Sequence, residues 1–459
     1  MPADLVTVVG VGADGWNGLS PAARAAVESA EVLMGSPRQL ALVPPDLGVA
    51  DDSGDVGAAS PTHVPGDVGA ASPTDVPGDV GAASPTDVPG DVGAASPTDV
   101  PGGVAGRVRV AWPSPLSEAL PGLLQEHRGR RICVLASGDP TFHGIGTTLT
   151  RLLGADAVRV IPHPSSVSLA CARLGWPQDQ VQVVSLVGHP VERIHPHIQP
   201  GRQLLVLSWG AHTPAEVAEL LVARGYGSSQ LTVLEQLGGP SERVRTTRAS
   251  EWSDDTNALN VIGVLCQSDA DAVLLPTVPG LPDDAYESDG QLTKREVRAV
   301  TLSRLAPVPG QLLWDVGGGA GSIAIEWSRH HPTCRAIAIE RDPDRAKRLD
   351  RNATALGVEL AVVHGAAPAA LDGLQSPDAI FIGGGATAAG MFDACWNALR
   401  PGGRLVVNGV TLETESLIAQ WYGAVGGDLI RLDVQRASPV GTMTGWRPAM
   451  PVTIWSVTK

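Results

Sequence analysis

Short apolar runs alternate with amphipathic stretches along most of this 459-residue chain, and that alternation limits the fold more than any other feature. Strand-like runs fall at residues 5–11, 107–111, 131–136, 158–161, 181–187, 203–208, 231–235 and 259–266. Each is rich in Val, Leu and Ile and too short for a buried helix. Between the first two, Ser20-Pro21-Ala22 reads as an N-cap followed by proline at the first helical position, opening an Ala-rich helix to about Ala30. Strands separated by helices predict parallel sheets covered by helices.

The pattern breaks after Cys266. Residues 268–290 are rich in Asp, Pro and Gly and hold no sustained period, so a domain boundary is expected near residue 275. This predicts a first domain over 1–270, a linker over 271–285 and a second domain over 286–459. The alternation then resumes. Thr293-Lys294-Arg295-Glu296 reads as a capping box opening a helix to about Leu305. A strand is expected at 311–316, a helix at 321–330 and a strand at 335–340. Asp342 and Pro343 then start a helix that stops at Gly357. Further strands are expected at 360–363, 379–383 and 404–409. Residues 429–435 and 451–457 alternate like an antiparallel pair. The sum is a mostly parallel, doubly wound, Rossmann-like sheet in an α/β protein.

Residues 55–102 are foreign to this pattern. They are four tandem copies of Asp-Val-Gly-Ala-Ala-Ser-Pro-Thr-Asp-Val-Pro-Gly, with His63 in place of Asp in the first. Two Pro, two Gly and only two Val per copy bury too little apolar surface to offset the entropy of ordering. A disordered surface insertion is the expectation, and loop-closure entropy grows slowly enough for a fold to carry it. Clean deletion of residues 55–102 is therefore expected to leave activity intact, checked by turnover of the shortened chain.

A net charge of −15 argues against a nucleic-acid partner held along a broad basic face. No apolar run near the N-terminus is long enough for a signal core or membrane span, so a cytoplasmic protein away from membranes is expected. Five cysteines, without any Cys-x-x-Cys, read as buried thiols. His189 and His195-Pro196-His197 lack ligand spacing; a solvated loop is expected there, and no metal site.

Asp315-Val316-Gly317-Gly318-Gly319-Ala320-Gly321 carries the chemistry. It joins an expected strand to an expected helix, where the backbone must turn tightly and approach a ligand without Cβ atoms in the way. Dinucleotide loops space their glycines G-x-G-x-x-G and offer a helix N-terminus to pyrophosphate. Here the spacing is G-x-G-x-G, with a carboxylate two residues ahead of the first glycine. Asp315 suits a cationic sulfonium with an amino-acid tail and repels pyrophosphate. Glu340 ends the next strand, where it can accept both ribose hydroxyls. The ligand expected is S-adenosylmethionine.

With these residues in hand, the second half resembles the precorrin decarboxylating methyltransferases of cobalamin biosynthesis. The likeness rests on Leu292-Thr293-Lys294-Arg295-Glu296-Val297-Arg298, the 315–321 loop, Gly365-Ala366-Ala367-Pro368-Ala369-Ala370-Leu371 and Leu399-Arg400-Pro401-Gly402-Gly403-Arg404. The resemblance implies cofactor contacts at Thr293, Gly317, Gly318, Gly319, Ala320, Gly321, Glu340 and Ala367, beside Asp315. An acidic residue is common in that family where Ala366 stands.

The first half resembles the tetrapyrrole methylases, in particular precorrin methylases acting at carbon 5. The matching pieces are Val9-Gly10-Val11-Gly12-Ala13-Asp14-Gly15, Ala136-Ser137-Gly138-Asp139-Pro140-Thr141-Phe142-His143-Gly144-Ile145-Gly146, Pro164-Ser165-Ser166-Val167 and Leu234-Glu235-Gln236-Leu237-Gly238-Gly239-Pro240. The resemblance implies a bilobal fold, with Gly10 and Gly12 facing a tetrapyrrole. Gly138, Asp139, Ser165 and Ser166 would hold a second S-adenosylmethionine in the cleft.

Together the two resemblances imply methylation of precorrin-6B at carbons 5 and 15, with decarboxylation of the ring C acetate, giving precorrin-8X. They imply one S-adenosylmethionine site per half; a homo-oligomer is expected as well, though nothing in the residues sets its size. A version with one active half and one scaffold half stays open at this point. No catalytic residue is assigned, because enamine-like ring carbons are already nucleophilic. Basic residues are expected against the substrate's many carboxylates, with Arg436 and Arg447 as the principal candidates beside Lys294, Arg295 and Arg298.

Overall fold

The computed structural model describes residues 5–45, 107–113, 115–253 and 255–459. The repeats at 55–102 lie outside the described residues, as does the expectation attached to them. The described residues form two compact units, one within Met1–His189, Gln203–Ala218 and Gln230–Leu265, the other within Pro190–Arg202, Glu219–Ser229 and Cys266–Lys459.

The first unit holds two five-stranded sheets. One contains β1 (Val6–Val11), β2 (Val32–Gly35), β3 (Val108–Ala111), β4 (Ile132–Ser137) and β5 (Val158–Ile161) in the order β3-β2-β4-β1-β5. All its pairings are parallel. Period-2 alternation splits its apolar residues between two cores. Val6, Val8 and Val134 pack on one face with Leu149, and Val9, Val11 and Leu135 pack on the other with Val27. Ser20 caps the Pro21–Glu28 helix as expected, its hydroxyl accepting from Ala23 N–H at 3.2 Å.

The other sheet contains β6 (Gln182–Ser185), β7 (Gln203–Leu207), β8 (Gln230–Glu235), β9 (Arg243–Arg248) and β10 (Asn260–Leu265), ordered β6-β7-β10-β8-β9. Only β6 and β7 run parallel; the remaining pairs are antiparallel. Sequence periodicity misses β2 and β9. β2 is four residues with no polar alternation, and β9 is an exposed, Arg- and Thr-rich edge that reads as a loop.

In the second unit, seven strands form one sheet: β11 (Leu312–Val316), β12 (Arg335–Glu340), β13 (Ala361–His364), β14 (Ala379–Ile382), β15 (Arg404–Gly409), β16 (Asp428–Leu432) and, after a separate hairpin of β17 (Gln435–Val440) and β18 (Met443–Pro448), β19 (Val452–Thr458). Their order is β13-β12-β11-β14-β15-β19-β16, with the first five parallel. β19 runs antiparallel to both its neighbours, the pairing expected from 429–435 and 451–457. The intervening β17–β18 hairpin is not visible in periodicity. Strand order reverses between β11 and β14, so the loop after β11 lies at a switch point of the sheet. Each face is covered. Leu313 and Phe381 pack with Trp327 and Leu302, while Trp314 and Ile380 pack with Met391 and Ile418.

Two local expectations are corrected. Thr293 does not start a capping box: the N-cap of the Arg295–Leu305 helix is Lys294, without a side-chain cap, and Thr293 instead lends its carbonyl to Arg298. Nor is His195 solvated. Val191–His197 forms a short 3-10 helix in which Ile194 and His195 are buried, and burial pushes His195 down to about 3. Asp342 caps the Pro343–Ala355 helix as expected, accepting from Asp344 and Arg345 N–H. All five cysteines are buried and free. Among the described residues no helix is long and apolar enough to cross a membrane.

Candidate functional site

In the second unit, loops after four parallel strands converge at the C-terminal edge of the sheet. Gly317 and Gly318 N–H both donate to the Ile339 carbonyl, at 2.9 and 3.1 Å, which draws the glycine loop across the end of β12. Gly317 has φ +78°, and a Cβ there would stand 2.9 Å from Gly384 N. Only glycine meets both conditions. Gly365 N–H donates to the Glu340 carbonyl at 2.9 Å, bringing the segment with Ala367 to the same edge. Gly383–Gly385 completes the ring of loops. Sequence reading passed it over, although three consecutive glycines after an apolar strand were a usable signal.

The two acids differ in kind. Glu340 is buried and holds backbone: one oxygen accepts from Gly319 N–H at 2.8 Å, the other from Asp342 N–H at 2.9 Å. Asp315 is 1% exposed. Its Oδ2 accepts from Ala324 N–H at 3.1 Å, while its Oδ1 is buried without a hydrogen-bond partner. Burial, with the Glu340 charge adding to it, pushes the Asp315 carboxyl up to about 7. A buried carboxylate oxygen left open beside a glycine cradle fits a cationic ligand such as a sulfonium. The acid two residues before the first glycine was legible in the sequence; its missing hydrogen bond was not.

Thr293 lies on the segment leading into the Arg295–Leu305 helix, and the Gln291 carbonyl on that segment is 3.9 Å from where a Cβ on Gly319 would be. Arg298, expected against substrate carboxylates, is corrected. It is fully buried, its Nε donating to Glu326 at 2.5 Å and its Nη1 to the Thr293 carbonyl at 2.5 Å. Lys294 pairs with Asp283 at 3.8 Å. Arg436 and Arg447 face each other across the β17–β18 pairing, with Arg436 also paired to Glu296. Both arginines are exposed.

In the first unit, the sequence-distant loops also meet. Gly138 N–H donates to the Val11 carbonyl at 3.0 Å. A Cβ on Gly10 would lie 2.1 Å from the Gly138 carbonyl oxygen and 2.7 Å from His163 N. Gly138 has φ +58°, and its Cβ would stand 3.3 Å from Ser165 Cα and 3.6 Å from Ser166 N. Gly10, Gly138, Ser165 and Ser166 are thus assembled. The Ser165 hydroxyl caps the Ser166–Leu174 helix through Ser168 N–H at 3.1 Å. Asp139 accepts from both Thr141 N–H and its hydroxyl, at 2.8 and 2.7 Å, which stabilises the turn after β4.

Gly12 makes room for a pair that sequence reading did not isolate. A Cβ on it would meet Asp14 Oδ1 at 2.5 Å and His163 Cε1 at 2.6 Å. His163 Nε2 lies 3.3 Å from Asp14 Oδ2. A Cβ on Gly239, after β8, would reach Ala13 Cβ at 2.8 Å. Loops of the two sheets therefore close on one another beside Gly12, as a bilobal cleft requires.

Two folds, each presenting glycine loops at strand ends, define a chain with two methyltransferase parts. The family described as tetrapyrrole (corrin/porphyrin) methylases matches residues 113–252, and that described as the precorrin methyltransferase domain matches residues 284–459. A Sinorhizobium protein, "Precorrin-6Y C(5,15)-methyltransferase [decarboxylating]", is 50% identical over 350 residues, 76% of this chain and 84% of the relative. A Mycobacterium tuberculosis protein of the same name is 40% identical over 459 residues, covering 99% of this chain and 100% of the relative. A Salmonella typhimurium "Cobalt-precorrin-6B C(15)-methyltransferase (decarboxylating)" is 33% identical over 173 residues, 37% of this chain and 89% of the relative. The chain belongs to the precorrin-6Y C(5,15)-methyltransferase (decarboxylating) family.

Proposed function

We propose that the chain methylates a precorrin at carbons 5 and 15 and removes carbon dioxide from the ring C acetate, giving precorrin-8X from precorrin-6B. Each half holds its own S-adenosylmethionine in this reading. Family membership over the whole length supports it, and the observation that carries two working sites is that both units assemble a glycine-lined loop cluster. Residues 1–270 would act at carbon 5 and residues 286–459 at carbon 15, joined by 271–285. A relative matching only 37% of this chain is named for the carbon-15 reaction and decarboxylation alone, which supports separable halves.

The bound S-adenosylmethionine supplies an electrophilic methyl on a cationic sulfonium. Asp315, with its open Oδ1, offers the compensating negative charge in the second unit. Gly317, Gly318, Gly319, Ala320 and Gly321 bring backbone close to the ligand. Glu340 fixes that loop through Gly319 N–H and keeps lone pairs for ribose hydroxyls, with Thr293 and Ala367 at the margins. In the first unit, Gly10 and Gly12 admit the tetrapyrrole, while Gly138, Asp139, Ser165 and Ser166 hold the methyl donor. The ring carbon is nucleophilic by conjugation, so the protein's main contribution is alignment, an effect that reaches ~7–11 kcal/mol. Excluding water around the departing carboxylate assists its loss.

Mass spectrometry after incubation with precorrin-6B and S-adenosylmethionine tests the reading. Gain of two methyl groups and loss of one carbon dioxide is expected; gain of a single methyl confines activity to one half. Titration should find two S-adenosylmethionine sites per chain.

The substrate is polyanionic, and Arg436 and Arg447 lie side by side on an exposed hairpin. Changing both to alanine is expected to raise the Michaelis constant for the precorrin about tenfold, in keeping with two charge-assisted contacts. An unchanged constant removes them from the pocket. This reading also includes a cytoplasmic homo-oligomer. The buried free thiols support the compartment, and exposed Met443 and Trp446 on the hairpin support assembly. Light scattering checks the assembly.

A further inference from the structure

Residues 280–294 cross the face of the second unit with one 3-10 turn, Asp283–Ala285, as their only helix. A segment so poor in internal hydrogen bonds cannot hold its own position. It is nevertheless anchored at both ends by buried side chains. The Glu326 carboxylate, on the Ser322–His330 helix, accepts from Gly280 N–H at 2.6 Å, Leu281 N–H at 3.0 Å and the Tyr286 hydroxyl at 2.9 Å. Arg298 binds that same carboxylate and reaches the Thr293 carbonyl at the far end.

The middle of the strap is held differently. Asn352, buried at 4% exposure on the Pro343–Ala355 helix, accepts from Glu287 N–H and donates to the Glu287 carbonyl, both at 2.9 Å. Its second amide hydrogen goes to the Ala320 carbonyl, also at 2.9 Å. Ala320 belongs to the glycine loop. One side-chain amide therefore binds strap and loop together, where the Gln291 carbonyl comes over Gly319.

We propose that Asn352 is a positioning residue for the methyl donor of the second unit, locking the glycine loop to the 280–294 strap so that both walls of the cofactor cradle keep one spacing. The inference rests on the reading of the 315–321 loop as an S-adenosylmethionine site. An amide suits the task because it supplies one acceptor and two donors in a plane. A carboxylate would turn acceptors toward two carbonyls, and an apolar side chain would leave three backbone groups, the buried Ala320 carbonyl among them, without this partner.

The test is steady-state methylation by the full chain carrying Asn352→Leu, Asn352→Asp or the milder Asn352→Ser. The carbon-5 transfer of the other half serves as an internal control for intact protein. Loss of these hydrogen bonds predicts a Michaelis constant for S-adenosylmethionine in the decarboxylating transfer raised about 10–100-fold in the Leu and Asp variants. Maximal turnover should change less than about threefold, and Ser should fall between these and wild type. At limiting donor the product should then carry one methyl group and keep its carboxylate. An unchanged Michaelis constant in the variants, with or without a fall in melting temperature, overturns the proposal. Should Leu and Asp fail to fold, the Ser variant decides by the same constant. If Asp315→Asn leaves donor stoichiometry unchanged, the site reading itself is wrong and this inference falls with it.

Discussion

Asp315→Asn is expected to remove a pH dependence of stability and to abolish methyl transfer by the second unit. In the folded, ligand-free protein the Asp315 carboxyl titrates at about 7, against about 3.9 in an unfolded chain. Between those values the folded state binds the extra proton, so stability falls as pH rises from about 4 to about 7 and is level above that. Some three units at ~1.4 kcal/mol each make the loss on the order of 4 kcal/mol. The asparagine variant has no such group. Its stability relative to wild type should therefore increase over that window, measured as denaturation midpoints of the second unit at pH 5 and pH 8. A bound cation pulls the proton off Asp315, so wild-type affinity for S-adenosylmethionine in this half should rise with pH and level off above about 7. A flat wild-type profile between pH 5 and 8 would contradict the assignment.

The second large effect concerns Arg298. Removing it as Arg298→Met leaves the Glu326 carboxylate buried without its cation and leaves the Leu281 and Thr293 carbonyls without their donor. Breaking a buried pair from one side typically costs about 3–5 kcal/mol. For a unit of this size that lowers the melting transition by roughly 10 °C. Adding Glu326→Leu should recover part of the loss, because no uncompensated charge remains. Calorimetry of the full chain checks this. A single mutant melting within about 2 °C of wild type would show that the pair contributes little.

Arg298 also shows where sequence reading stopped. In the string Thr293-Lys294-Arg295-Glu296-Val297-Arg298 it stands among charged neighbours and looks like a solvated helix face or a substrate contact. Its burial is decided by Glu326, 28 residues away, and by backbone carbonyls of the strap. Thr293 is not the N-cap because the helix begins one residue later, its first bond running from Arg298 N–H to the Lys294 carbonyl. The β17–β18 hairpin and β9 were passed over because exposed strands carry little apolar alternation. The glycine loop was legible, because a strand exit, repeated glycines and an acid are all local features.

Local chemistry in the sequence was enough for the alternation of strands and helices, the caps at Ser20 and Asp342, and the loop from Asp315 to Gly321. These depend on residues two to four positions apart, within reach of backbone geometry. Only the tertiary structure decided that Asp315 keeps one oxygen unpaired, that each Glu340 oxygen accepts one backbone N–H, from Gly319 and Asp342, and that Asn352 joins strap to loop. Burial and hydrogen-bond partnership are properties of what the rest of the chain brings alongside, and no window of sequence contains them.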